Sequence, residues 1–558
     1  MKWLSIVLTL ITATATSQPD LTADQWRADL KFLQETVHED YPFLFKKTTA
    51  HAFDSAVAVL HQAIPKLAPH EIIVGLARTV ALFEYGHTTL PLSGWRDRGS
   101  YSFDQARFVL DHFSDGIFVQ GTTSAHENTL GAKVIAVEGM PIDQALAAVK
   151  PAFPTENNAF FMAYGLSFLG CPQILHAQGV TSSLKKSVTL TLEKEGKVFD
   201  HTFDMITEKD FPGQYTIVKE EGDWLNARDN SRDPLWLKHL DRIYYFEHLP
   251  EHNAVYVRQS QIQDDPEEDI PTFYERVFRF IEENQVDKLI LDVRLNGGGN
   301  NYKNKPVITG VIRSRINEPG KFFVITGGQT FSACQNLVNE LSNYTNAIFV
   351  GGPTGENINF YGDNNEVTLP NSKINAYLSF AWWQDKPQWE NADWLAPHLA
   401  VEMSFEEYAT NQDPLVAAAL NFSSNNFVLN PMQYLTDLYQ SGQHEKLQSE
   451  AVRMINDPAY AFFDFEKEFN DLGYELMGRG DVQTAVVVFQ FAAGLFPDSA
   501  NVWDSLAEGM WRSGNIAKAK ELYQKAISMD PDGYVGENAR KMLKRIKEES
   551  SQGSRSNH

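Results

Sequence analysis

Four short apolar, β-branched runs, separated by stretches with helical periodicity, dominate residues 216–425. They are Ala254-Val255-Tyr256-Val257, Leu289-Ile290-Leu291-Asp292-Val293-Arg294, Phe322-Phe323-Val324-Ile325-Thr326 and Ala347-Ile348-Phe349-Val350-Gly351. Each has the length and residue types of a buried strand. A helix is expected around Phe273 to Ile281, and another where Ala333, Leu337, Val338 and Leu341 share one face. Alternation of this kind folds as α/β with crossover helices. Ser332 stands at one strand-to-helix corner, in Gly327-Gly328-Gln329-Thr330-Phe331-Ser332-Ala333-Cys334-Gln335-Asn336. Free N–H groups at a helix start favour negative charge. That suits a hydroxyl nucleophile whose attack creates an oxyanion. Serine is also a common helix N-cap, so this segment alone leaves both roles open.

The chain of 558 residues exceeds a single core and implies about three or four domains. Met1 to Ala15 carries one Lys, a short apolar run and an Ala13-x-Ala15 exit, the pattern of a secretory signal peptide. Residues 1–17 are therefore expected to be a signal segment and the protein secreted or periplasmic. No later run reaches the ~18 apolar residues of a membrane helix, so no span is expected in the mature chain. Residues 18–95 read as helical, with Trp26, Leu30, Leu33 and Val37 on one face. Residues 96–215 read as a β-rich cap. Its strand at Leu130–Val137 ends in a Gly139/Pro141 turn followed by a helix, and a second strand runs through Val188–Leu192.

Toward the C-terminus, Gly480, Ala485, Phe489 and Pro497 recur 34 residues later as Gly514, Ala519, Tyr523 and Pro531. That is the period of the tetratricopeptide helix–turn–helix repeat. Residues 426–547 are expected to form a helical array, whose concave surface would suit a protein partner. The polar tail, residues 548–558, is expected to be disordered. A net charge of −24 argues against nucleic acid and anionic membranes as partners. Cys171 and Cys334 could pair in an oxidising compartment, but buried free thiols are the ordinary outcome. No Cys/His cluster has metal-ligand spacing, so neither metal nor cofactor is expected.

Leu291-Asp292-Val293-Arg294-Leu295-Asn296-Gly297-Gly298-Gly299 resembles the D-x-R-x-N-x-G-G signature of the tail-specific (C-terminal processing) serine proteases. The Ser332-Ala333 pair resembles their nucleophile motif, and Val350-Gly351-Gly352-Pro353-Thr354-Gly355 their following strand and turn. Tyr361-Gly362-Asp363, Leu369-Pro370-Asn371-Ser372, Pro397 and Asp413-Pro414 continue the pattern. The resemblance covers roughly residues 20–425. It implies a crotonase-like or ClpP-like spiral α/β core at 216–425, and a degenerate PDZ-like domain or a different β cap at 96–215.

One arrangement in that family is a Ser–Lys dyad with Lys about 25 residues after Ser. That position here is Asn357, and no Lys lies between Ser332 and Lys373. The other is the tricorn-core arrangement, shared with the interphotoreceptor retinoid-binding-like branch. Tyr85-Gly86-His87-Thr88 looks like its D-G-H-T, which places His87 on the catalytic histidine. Glu390, in Trp389-Glu390-Asn391, resembles its glutamate; Asp385 and Asp393 are close rivals. The resemblance also implies an oxyanion hole from backbone N–H groups of Ala333 and Gly298 or Gly299. Tyr85 and Gly352 depart from the family pattern, where Asp and Glu are usual.

These residue types suit acyl transfer. A serine hydroxyl needs a base, histidine titrates near neutrality, and a carboxylate orients the imidazole. The expectation is a serine-type peptidase acting on a peptide or protein substrate. The alternatives are a non-catalytic member of the same fold that binds peptides or small ligands, and an esterase on the same triad.

Overall fold

The computed structural model describes residues 21–92, 103–206, 213–389, 392–423 and 427–553. The expected signal segment and Glu390 lie outside the described residues. The chain divides into two units, Met1–Pro397 with Val401–Asn421, and His398–Ala400 with Phe422–His558.

The first unit opens with α1 (Ala23–Asp40), α2 (Ala50–Ala63) and α3 (Pro69–Ala81). Thr22 and Gln25 form a capping box at the start of α1. Trp26, Leu30, Leu33 and Val37 are buried together, as their spacing requires. An antiparallel sheet follows, with β1 (Phe108–Phe113), β2 (Gly116–Thr123), β3 (Lys133–Val137) and β4 (Met140–Pro141). The expected helix comes next as α4 (Ile142–Val149). Helices not expected within this β-rich region then interrupt its strands. Two further helices, α5 (Asn158–Tyr164) and α6 (Pro172–Ala177), precede β5 (Val188–Lys194) and β6 (Lys197–Phe203). Asn157 caps α5 and Pro172 opens α6, local signals that outweigh the surrounding β pattern. Short strands β7 (Gly213–Gln214), β8 (Ile217–Val218) and β9 (Trp224–Asn226) complete this region.

A second sheet contains β10 (Tyr244–Leu249), β11 (Ala254–Gln259), β12 (Lys288–Asp292), β13 (Phe322–Thr326) and β14 (Ile348–Gly351). Within this unit the spatial order equals the chain order. β10 is antiparallel to β11, and the remaining pairs are parallel. The crossovers are α7 (Ile270–Glu283), α8 (Lys305–Arg313) and α9 (Ala333–Tyr344). Mixed α/β architecture is thus as expected. The strand expected through Arg294 stops at Asp292, whose carboxylate accepts the Arg294 N–H at 3.1 Å and turns the chain. Because β12 and β13 are parallel neighbours, the loops leaving their C-terminal ends lie side by side. Ligand sites of open α/β sheets gather at that edge. A long hairpin, β15 (Phe360–Thr368) and β16 (Asn375–Trp383), then α10 (Phe405–Ala409) and α11 (Pro414–Asn421) close the unit.

The second unit is helical: α12 (Pro431–Gln440), α13 (His444–Ile455), α14 (Phe465–Gly478), α15 (Val482–Leu495), α16 (Ala500–Arg512), α17 (Ile516–Met529) and α18 (Tyr534–Gly553). α15 and α17 begin 34 residues apart (516 − 482) and end 34 apart (529 − 495). Each follows a glycine at φ 88°, Gly480 or Gly514, a left-handed turn that glycine adopts without strain. The tail expectation is corrected in part, since α18 continues past Glu548 to Gly553. An Arg545–Glu549 pair at 3.1 Å, one helical turn apart, supports that extension.

Candidate active site

His87 sits in the turn after α3. Thr88 N–H closes that turn on the Tyr85 carbonyl at 2.9 Å. Thr88 Oγ1 donates to Ser379 Oγ at 2.8 Å, and Thr89 exchanges two backbone bonds with Tyr377. These contacts fix the turn against β16. Asn364 Nδ2 donates to the His87 carbonyl at 3.0 Å.

Ser332 occupies the corner between β13 and α9 with φ 57° and ψ −129°. A side-chain-bearing residue there carries about 1–3 kcal/mol of strain. Its hydroxyl makes no capping bond, so the cap reading is corrected. Instead Ser332 Oγ lies 2.9 Å from His87 Nε2. Phe331 and Phe360 stand edge-on to the imidazole, at centroid distances of 4.7 and 6.2 Å. His87 keeps part of its surface exposed, yet the dense protein around the ring pushes its pKa down to about 4. It is therefore neutral near pH 7, and with the proton on Nδ1 its Nε2 accepts.

The Asn296–Gly299 loop packs directly on this corner. Asn296 Oδ1 accepts the Gly298 N–H at 3.0 Å, and its Nδ2 donates to the Gln259 carbonyl at 3.0 Å. The Asn296 carbonyl accepts the Phe331 N–H at 3.0 Å. Gly298 has φ 96°, and a Cβ there would lie 2.5 Å from Ser332 Cβ and 2.8 Å from Ala333 N. Gly298 is thus required for the approach, but its N–H is spent on Asn296, which removes it from the donors expected for an oxyanion. Ile262 pairs with the backbone of Gly298 and Asn300 on either side of Gly299, so the Gly299 amide faces away from Ile262. Ala333 begins α9, where an N–H has no partner within its helix.

Arg294 of the D-x-R run does not reach Ser332. It bridges Asp292 at 2.8 Å and Asp413 at 2.9 Å, tying β12 to the start of α11. Glu390 lies outside the described residues. Its rival Asp385 is engaged on α9, where Asn336 and Asn339 donate to it at 2.7 and 3.3 Å. The Asp393 carbonyl accepts from Asn157 Nδ2 at 2.7 Å. Cys171 and Cys334 are buried and form no disulfide.

Two buried acids next to the site escaped the sequence reading. Glu356 accepts the Ser332 N–H, and Glu156 Oε2 accepts the Gly86 N–H at 2.5 Å. Lys47 Nζ stands 3.9 Å from Glu156. Burial, then the neighbouring Glu156 charge, holds the Glu356 carboxyl well above the ordinary carboxylate range. Burial raises Glu156 as well, against the pull of Lys47. The one hint was position: Glu356 precedes Asn357, the site of the missing lysine. No spacing rule joins it to residue 156.

One His/Glu/His group among the described residues could hold a metal ion: His70, Glu71 and His176. As it stands, His70 Nε2 and His176 Nδ1 hydrogen-bond to each other at 2.8 Å, and Glu71 caps α3 through the Ala68 N–H at 2.8 Å. The two histidines lie 106 residues apart, so sequence spacing could not reveal them. A cavity of about 620 Å³ is lined by Gly86, Leu90, Leu92, Phe160, Tyr164 and Phe168 among others. Phe160 stacks on Phe331 at 4.7 Å, which joins that cavity to the Ser332 corner.

No family model matches this chain, and no curated protein matches it. Among solved structures it is similar to mature CPAF, at 12% identity and a TM-score of 0.48, over 72% of this chain and 98% of that one. It is similar to the photosystem II D1 C-terminal processing protease at 12% identity and a TM-score of 0.30, over 68% and 94%. The tricorn protease aligns at 12% identity and a TM-score of 0.35, over 72% of this chain and 36% of that one. Likenesses at this identity and score assign neither an activity nor a family to the chain.

Proposed function

We propose that this chain is a serine-type peptidase that works through an acyl-enzyme on Ser332. The observation that carries the reading is the 2.9 Å contact between His87 Nε2 and the hydroxyl of a serine held in a strained corner at a helix start. Strain of that kind is retained where the surrounding structure needs the side chain aimed outward, as in a nucleophile elbow. A serine kept only to cap α9 would use its oxygen on α9, and Ser332 does not.

In the reaction, Ser332 Oγ attacks the scissile carbonyl while His87 Nε2 takes its proton. The Ala333 and Gly299 N–H groups are the donors left to receive the oxyanion. His87 then gives the proton to the leaving amine, and a water repeats the sequence to release the acid. Glu390 is assigned the carboxylate that orients His87. The apolar cavity running from Phe160 to Phe168 suits an aliphatic or aromatic side chain of the substrate. The N-terminal segment supports export, and the 34-residue helical repeat supports a protein partner for the second unit.

The test is a fluorophosphonate probe followed by mass spectrometry. Labelling of the wild type at Ser332, absent in Ser332→Ala, is expected. An unlabelled, folded wild type would favour the non-catalytic reading.

A further inference from the structure

The two acids beneath the site are both fully buried, and each holds the backbone of a different half of it. Glu156, just before α5, takes the N–H of Gly86, the residue that precedes His87. Glu356, in the turn after β14, takes the N–H of Ser332 itself. Each carboxyl has a second oxygen, Oε1, buried without a hydrogen-bond partner. Both are acceptor-only when ionised. An orphan carboxylate oxygen is costly in a protein interior, and the Glu156 charge acts on Glu356 as well. We propose that Glu156 and Glu356 share a single proton and act as a positioning pair, tying the His87 turn to the Ser332 corner through their backbone amides. The proposal rests on the hydrolase reading above.

The charge balance around the pair favours the sharing. Lys47 is the cation the pair feels, and it lies 3.9 Å from Glu156, with its Nζ also donating to the Glu84 carbonyl at 2.8 Å. Around the pair, Glu84 on the His87 turn adds negative charge, the Asn357 backbone bonds to Glu156, and Tyr164 on α5 faces Glu356. Lys46, Arg78 and Lys150 line the same cavity as Lys47 but are not among the charges acting on either acid. One ammonium offsets one carboxylate, so the second stays protonated, as adjacent buried carboxyls do. The raised carboxyl of Glu356 agrees with that assignment. One oxygen still accepts the Ser332 N–H, and the orphan Oε1 is the place for the proton. A cavity of about 1200 Å³ reaches Lys47 and Glu156 and supplies the route for proton exchange. Loss of the shared proton at alkaline pH leaves two negative charges against one ammonium. Their repulsion forces apart the two segments that carry His87 and Ser332.

The experiment compares fluorophosphonate labelling rates across pH in wild type, Glu356→Gln and Glu356→Ala. Wild-type labelling should fall on the alkaline side. Glu356→Gln keeps an acceptor for Ser332 N–H and cannot ionise, so its rate should hold where the wild type falls. Glu356→Ala loses the anchor, and its rate should drop about 10²-fold, the cost of a small misplacement. Superimposable pH profiles for wild type and Glu356→Gln, or undiminished labelling of folded Glu356→Ala, would overturn the pair. If the wild type never labels, the hydrolase reading fails instead. The shared proton is then read from thermal unfolding, where Glu356→Gln should gain on wild type as pH rises and an equal pH dependence overturns it.

Discussion

His87 Nε2 lies 2.9 Å from Ser332 Oγ although 245 residues separate them. Neither element alone sets this contact. The histidine is carried by a turn that Thr88 and Thr89 fasten to β16, while the serine hangs from the parallel sheet. A base held at that distance contributes typically 10²–10⁴-fold to acyl transfer. His87→Gln should therefore lower the labelling rate of Ser332 by that order while leaving circular dichroism unchanged. Equal labelling by the folded variant would remove His87 from the mechanism.

The burial of His87 sets the direction of the acid limb. The free imidazole must be neutral to accept the Ser332 proton, and its pKa is pushed down to about 4. Labelling should persist as pH falls below the ordinary histidine value of about 6.5 and fail with a midpoint near 4. The linked stability has the same sign. A histidine whose folded pKa lies below its unfolded value gives its full contribution above the unfolded value and loses it as pH falls toward the folded one. A labelling midpoint near 6.5 would show that burial does not set the basicity of His87.

Strain at Ser332 separates stability from activity. Glycine adopts φ 57°, ψ −129° freely, whereas alanine meets the same clash as serine. Ser332→Gly and Ser332→Ala should both abolish labelling. Ser332→Gly should nonetheless be more stable than Ser332→Ala by about 1–2 kcal/mol, measured as a shift of the unfolding transition. Equal stabilities would mean that the corner relaxes.

Much of this was legible in the residues. The strands through Val255, Ile290, Val324 and Phe349 announced themselves because a parallel sheet buries both faces and leaves continuous apolar runs. The period that joins Gly480 to Gly514 is arithmetic on the chain. Ser332 and His87 were found through motifs, and the structure then brought their side chains together. Glu156 and Glu356 were not legible. An isolated Glu in a chain with 72 acidic residues reads as a solvated charge, and only the fold shows that these two are buried. α5 was missed for a related reason: Asn157 is an ordinary polar residue until its side chain is seen capping Phe160 at 2.9 Å. The choice among oxyanion donors lies in the fold, because Asn296 decides which glycine amide is spent.

Arg294 offers a test of how the sheet supports the site. Its guanidinium joins Asp292 at the end of β12 to Asp413 at the start of α11, and the chain that leaves it becomes the Asn296–Gly299 loop. All three side chains are largely buried. Arg294→Met removes the only positive member of the triad and leaves two carboxylates facing each other. Breaking a buried pair in this way costs about 3–5 kcal/mol. Arg294→Lys keeps the charge but loses the planar fork, so it should fall between wild type and Arg294→Met. Urea unfolding of the three proteins should give that order. Because the loop next to Ser332 is anchored through this clamp, labelling of Ser332 should decline in the same order under conditions where all three remain folded. A variant series in which stability falls but labelling does not would show that Asn296, bonded to Gln259 and Phe331, holds the loop without help from Arg294.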